Sequence, residues 1–200
     1  MTPPPLSAII SATCSVVHPW SLFASSLLIA RATFAGSLGG LPLLGLSFDL
    51  GASYAGRMME GKNYPMDQFV WPPGNENRIG FTVREPLGVV LAITPFNFPA
   101  AAFAQKVVPA LLAGNTVVVK PSLLAPLTMW HLTKILLESG FPPGTVNFVT
   151  GKSSEIGDLL VDHPHVSAVT FTGSSEVGLS ISARAMSQGK RVLMVVRENL

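Results

Sequence analysis

The chain has 200 residues, 48% apolar and only 12% charged, about half the charged share usual in a globular protein. A formal net charge of +2, with no basic cluster beyond the pair Lys190-Arg191, leaves a nucleic-acid partner without its electrostatic footprint. One cysteine, Cys14, excludes a disulfide-stapled module, and 18 glycines with 17 prolines exclude a coiled coil.

The composition breaks near residue 48. Residues 1–48 carry one charge, Arg31, and no acid, whereas all 11 acidic residues lie beyond them. The first part opens with Pro3-Pro4-Pro5 and continues into an apolar run, 20–30, too short to cross a bilayer. The next uncharged run, 32–48, is interrupted by Gly36, Gly39, Gly40, Pro42 and Gly45. No basic residue precedes the apolar segment, as a secretory signal requires. Residues 1–47 therefore read as an atypical apolar leader, poorly ordered and without a packing partner, in a cytoplasmic protein. Membrane attachment through the leader is the competing reading.

From residue 48 the text becomes regular. FDLGASYAGRMMEGK (48–62) reads as a helix end stopped by Gly61. Segments 64–70 and 80–84 flank the turn-rich WPPGNEN and suggest a two-stranded ribbon, so 48–86 forms one unit. Beyond it, 87–93 (LGVVLAI), 116–119, 146–149 and 166–171 are short, branched, apolar runs of strand type. Helical text separates or follows them at 100–113, 127–138, 154–160 and 174–187, with Pro109 expected to kink the first helix. This alternation describes βαβ units: an α/β fold of Rossmann type, a parallel sheet with flanking helices across 87–200.

In such sheets ligands bind at the carboxyl ends of the strands, which makes the strand-to-helix junctions the candidate site. ITPFNFP (93–99) holds Asn97 in a stiff frame of aromatics and prolines, where its amide can donate to an oxygen that becomes negative. An asparagine capping its own turn is the alternative. VKPS (119–122) places Lys120 at the end of a buried strand, where the ammonium needs an acceptor: a ribose, a phosphate or a structural carboxylate. In FTGSSEVG (171–178), Gly173 and Ser174 open a helix whose free amides suit an anion, or merely cap it. VTGKSSEIG (149–157) has Gly151 and Gly157 but neither the compact dinucleotide fingerprint nor a Walker lysine. Asp162-His163-Pro164-His165 lacks a second cluster to complete a metal site, and no metal is expected.

REPLGVVLAITPFNFPAAAFAQKVVPALLAGNTVVVKPS (84–122), with GFPPGTVNFVTG and VSAVTFTGSSEVG, closely resembles the NAD(P)-dependent aldehyde dehydrogenase superfamily from about residue 48 to 191. The resemblance implies oxidation of a small aldehyde to an acid with NAD or NADP, in a complete enzyme that is a homo-oligomer. It further implies that Asn97 is a catalytic oxyanion donor and that Lys120 contacts the adenosine ribose. Thr94, Pro95, Phe96, Ser122, Gly151, Gly157, Phe171, Gly173 and Ser174 would complete the cofactor site. Three positions depart from the family pattern. Leu123 replaces the acid that favours NAD, Ser153 replaces a common glycine, and Val195 stands where the general-base glutamate belongs. The nucleophilic cysteine, expected about a hundred residues beyond FTGS, is not in this sequence. The chain alone is therefore expected to be inactive; a non-catalytic nucleotide-binding or oligomer-interaction fragment is the second reading.

Overall fold

The computed structural model describes residues 7, 8, 10, 57, 60–68, 74 and 77–197. Strands β1 (Asn63–Tyr64) and β2 (Gly80–Phe81) pair antiparallel, two residues against two. The ribbon is much shorter than the expected 64–70 and 80–84. Pro65 cannot donate to a ladder, and Met66–Gln68 instead close a 3₁₀ turn in which the Gln68 N–H reaches the Pro65 carbonyl at 3.1 Å. Arg57 is helical while Glu60 and Gly61 are not, and most of the expected helix end, like the centre of WPPGNEN, lies outside the described residues.

The principal sheet contains β3 (Val89–Thr94), β4 (Thr116–Pro121), β5 (Val146–Phe148), β6 (Val166–Ser174) and β7 (Arg191–Arg197). All pairings are parallel, in the order β5-β4-β3-β6-β7. Four of these strands fall on the four branched runs. The fifth, β7, extends the edge beyond the strands read from periodicity, where the resemblance implied a strand; Val192, Val195 and Val196 supply its branched residues.

The connecting helices are α1 (Pro99–Leu112), α2 (Pro126–Glu138), α3 (Ser153–Asp162) and α4 (Ser175–Ser187). Both α1 and α2 carry proline in the first turn, where no intrahelical N–H is needed and the fixed φ suits a helix. The first helix also runs through Pro109 to Leu112. On the last helix the expectation needs correction: Gly173 and Ser174 belong to β6, paired with Val196 and Arg197, and the helix begins at Ser175.

Side-chain alternation along the central strands divides the core in two. Ala92, Val117 and Val119 face a cluster with Phe103, Val107, Leu111, Met129 and Leu136 from α1 and α2. Val89, Leu91 and Val118 face a second cluster with Leu160, Val161 and Ala185 from α3 and α4. Helices thus cover both faces, which is why the strands read as continuous apolar runs rather than alternating ones. Ile10 also belongs to the second cluster and is fully buried, whereas Ser7 and Ala8 are exposed. At that residue the expectation of a leader without a packing partner does not hold.

On the second face α3 and α4 are clasped by charge. Arg184 bonds Asp162 through two nitrogens and reaches Asp158 at 3.1 Å. Hydrogen bonds from Arg184 and Gln188 hold the Asp162 carboxyl down at about 2. Lys190 donates to the Val161 and His163 carbonyls at the end of α3. The Asp-His-Pro-His segment is thereby used structurally, and no metal-type grouping of His, Cys, Asp or Glu occurs among the described residues.

One buried cation was not legible in the sequence. Lys106 on α1 is 6% exposed, and its Nζ donates to Thr170 Oγ1 at 3.2 Å. Desolvation pushes its pKa down to about 8.

Three stability predictions follow from this packing. Leu91→Ala should cost about 2–5 kcal/mol in urea unfolding, since the side chain is enclosed by strands and helices. Leu124→Ala, at a 77% exposed position, should stay within about 0.5 kcal/mol. For Lys106 the unfolded chain binds the extra proton between pH 8 and 10.5, so wild-type stability should rise across that interval. Lys106→Met lacks this dependence. The stability difference between the two proteins should therefore change by roughly 3 kcal/mol from pH 7.5 to 10.5, measured by urea unfolding at several pH values. A constant difference would show that the ammonium is not desolvated.

Candidate functional site

The sheet order reverses direction at β3: the chain moves from β3 to β4 and β5, then crosses to β6 on the opposite edge of β3. Such a reversal leaves a crevice at the carboxyl ends of the strands. Three adjoining clefts occupy that end. The largest, about 640 Å³, lies between Pro95–Phe98, α1 and the ends of β6 and β7. The next, about 320 Å³, lies between the ends of β3, β4 and β6 and shares Thr172, Gly173 and Ser174 with the first. A third, about 270 Å³, continues along α3 and α4 and shares Lys120, Ser153 and Phe171 with the second. Together they form one elongated trough.

Lys120 stands at its centre. Burial in β4, opposite Ile93, leaves it 3% exposed and pushes its pKa down. Its Nζ donates to Ser153 Oγ at 3.0 Å, and no carboxylate among the described residues pairs with it. An ammonium has three donors, so this one retains capacity for an acceptor in the trough. Thr94, at the end of β3, lines the same cleft with a buried hydroxyl that has no hydrogen-bond partner. An under-satisfied cation and an orphaned hydroxyl are what a polyhydroxyl, phosphate-bearing ligand would satisfy. Ser122 is more committed locally: its N–H bonds the Thr94 carbonyl at 3.0 Å, and its Oγ accepts from Leu124 N at 3.3 Å.

Asn97 lines the largest cleft just ahead of α1. Its Oδ1 accepts the Phe98 N–H at 3.1 Å, a local turn bond. That leaves the amide NH₂ as the group able to donate into the cleft. The two readings of this residue are therefore compatible: the oxygen fixes the turn, and the nitrogen is left for a developing negative charge. Pro95 and Phe96 wall the same cleft, and Val195 from β7 lies in it too. Among the described residues no carboxylate or thiol lines it.

Gly173 is required by packing as much as by a ligand. A Cβ there would sit 2.5 Å from Phe171 Cζ, and one at Gly178 would sit 2.6 Å from Val196 Cγ1 and 3.2 Å from Phe171 Cε1. The two glycines thus let β6 and α4 close around the Phe171 ring, which forms part of the trough. Gly157 lines the third cleft, whereas Gly151 lines none of the three; a Cβ at Gly151 would meet Ile156 Cδ1 at 2.8 Å. Sequence reasoning noted Ser153 only as a departure from the family pattern, yet it is the hydrogen-bond partner of Lys120. The signal was its place at the start of a helix following β5.

Among the described residues no helix is long and apolar enough to cross a membrane. The profile of the aldehyde dehydrogenase family matches residues 45–196. The D-glyceraldehyde dehydrogenase (NADP(+)) of Picrophilus torridus is 46% identical over 120 residues, 60% of this chain and 24% of the relative. The 2,5-dioxopentanoate dehydrogenase of Saccharolobus solfataricus is 50% identical over 110 residues, 55% and 23% of the two chains. A crystal structure of betaine aldehyde dehydrogenase from Staphylococcus aureus, in complex with NAD+, superposes with a TM-score of 0.83 at 25% identity, covering 94% of this chain and 41% of that one. The chain thus spans about a quarter of the length of these curated relatives. With the five-stranded sheet, its crevice and a profile match across most of the sequence in agreement, this chain belongs to the aldehyde dehydrogenase family.

Proposed function

We propose that residues 87–197 form the NAD(P)-binding part of an enzyme that oxidises a small aldehyde to a carboxylic acid. The observation that carries this reading is Lys120: a nearly buried cation with no carboxylate partner among the described residues, facing a trough continuous with the Asn97 cleft. Hydride acceptance is the chemistry that a bound nicotinamide cofactor supplies. Lys120 would bind the adenosine ribose end, with Thr94 and Ser122 beside it. Gly173 and Ser174, on the wall shared by two clefts, would guide the cofactor's midsection towards the larger one. There Asn97 would donate its amide N–H to the substrate oxygen as negative charge develops on it. The apolar walls from Pro95, Phe96 and Phe98 would exclude water from that contact.

The family's covalent step needs a thiolate and a general base, and this sequence offers one thiol, Cys14, outside the described residues. At the position expected for the base, Val195 lines the cleft instead. The 200-residue chain by itself is therefore a cofactor-binding unit without turnover, which joins the second reading of the sequence to the first. In the whole protein we place it in a cytoplasmic homo-oligomer, with the β1–β2 ribbon as the oligomerising element and residues 1–47 as a leader that meets the second core cluster at Ile10.

Calorimetric titration tests cofactor binding. NADP should bind at least as well as NAD, because Leu123 presents no acid to repel a 2′-phosphate. Lys120→Ala should weaken binding about ten- to a hundredfold, and NADP more than NAD. Unchanged affinities for both cofactors would remove Lys120 from the site. In a separate assay, the purified chain should show no aldehyde-dependent reduction of NAD or NADP. Turnover that vanished in Cys14→Ser would instead mean that the leader thiol reaches the cleft.

A further inference from the structure

We infer that Ser153 is a specificity-determining residue, which uses its hydroxyl together with Lys120 to favour a phosphorylated ribose over a free one. The inference rests on the cofactor-binding reading of the trough. Ser153 is the first residue of α3 and its side chain borders two of the three clefts, in each case beside Lys120. The Lys120 Nζ lies 3.0 Å from Ser153 Oγ. In that bond the hydroxyl oxygen accepts, which leaves the hydroxyl proton free to donate elsewhere. The ammonium likewise keeps donors beyond the one that Ser153 receives. The pair therefore presents two converging donors, one of them charged, from β4 and from α3.

Which ligand oxygen suits such a pair is decided by what surrounds it. On the side of the 320 Å³ cleft the neighbours are Ser122, Leu123 and Gly173–Ser174, with no acid among the described residues that line it. On the side of the 270 Å³ cleft lie Asp158 and Glu176, which would repel a phosphate and accept from a hydroxyl. Asp158 is partly neutralised there by Arg184 at 3.1 Å. A 2′-phosphate would thus sit towards Leu123, accepting from both Lys120 and Ser153. A free ribose hydroxyl can be held by Lys120 or by the carboxylate side and gains little from the second donor.

The test uses the full chain, titrated calorimetrically with NAD and with NADP, for wild type, Ser153→Ala and Ser153→Thr. Ser153→Ala should lose at least about tenfold in NADP affinity, the scale of one hydrogen bond to a charged group, with NAD changed by no more than about twofold. Ser153→Thr, which restores the hydroxyl, should recover the preference for NADP. Equal losses for both cofactors would overturn the inference and leave a merely structural serine. A gain in NADP affinity in Ser153→Ala would overturn it too, showing that the hydroxyl competes with the ligand for Lys120. Neither outcome touches the assignment of the trough. A wild-type chain that binds neither cofactor would remove both.

Discussion

The arrangement of this protein depends on the burial of β3 and β4 on every side. Each has a strand along both edges and a helix layer against both faces, so Val89, Leu91, Ala92, Val117, Val118 and Val119 are all fully enclosed. Backbone polar groups in such strands are satisfied within the ladder, and the apolar side chains supply the main favourable contribution to folding. The strands can be enclosed in this way only along their length. At the carboxyl ends of β3 and its neighbour β6 the chain turns outward into helices on opposite faces, α1 and α4, and the trough opens between those departures. The site is a geometric consequence of the core rather than an addition to it.

Burial then sets the chemistry of the cations within this frame. Lys120 and Lys106 are both desolvated, and among the described residues neither has a carboxylate partner: each bonds a hydroxyl, Ser153 in one case and Thr170 in the other. A cation held like this raises the energy of the unliganded protein, and an acceptor brought by a ligand or by another part of the protein relieves it. Arg184 and Lys190 are different in kind. They lie near the surface, pair with Asp158, Asp162 and carbonyl oxygens, and tie α3 to α4. Lys120 lines the trough, whereas Arg184 and Lys190 serve the architecture.

Asn97 shows how one side chain serves both purposes. Its carbonyl oxygen is spent on the Phe98 N–H, which orders the turn before α1, and this leaves the amide nitrogen as the only group with donors to offer. Gly173 and Gly178 do the comparable work for the opposite wall, because only glycine leaves room for the Phe171 ring. The walls of the large cleft are therefore set by local turns and close approaches rather than by long-range ion pairs.

Strand runs such as LGVVLAI, and the prolines and glycines that bound the helices, were enough to determine the α/β class and the positions of four of the five strands. Those features are local: burial on both faces demands continuous branched apolar text, and helix ends demand particular residues. Family motifs at the junctions marked Asn97, Lys120 and Gly173 as well. Three matters depended on tertiary structure because they involve residues distant in the sequence. Ser153 became a partner of Lys120 only when α3 was laid beside β4, 33 positions away. Lys106 became a buried cation only when α1 packed over β6, and Ile10 joined the core from a segment with no periodicity to announce it. Sequence periodicity reports which face of an element is covered; it carries no information about which distant side chain covers it.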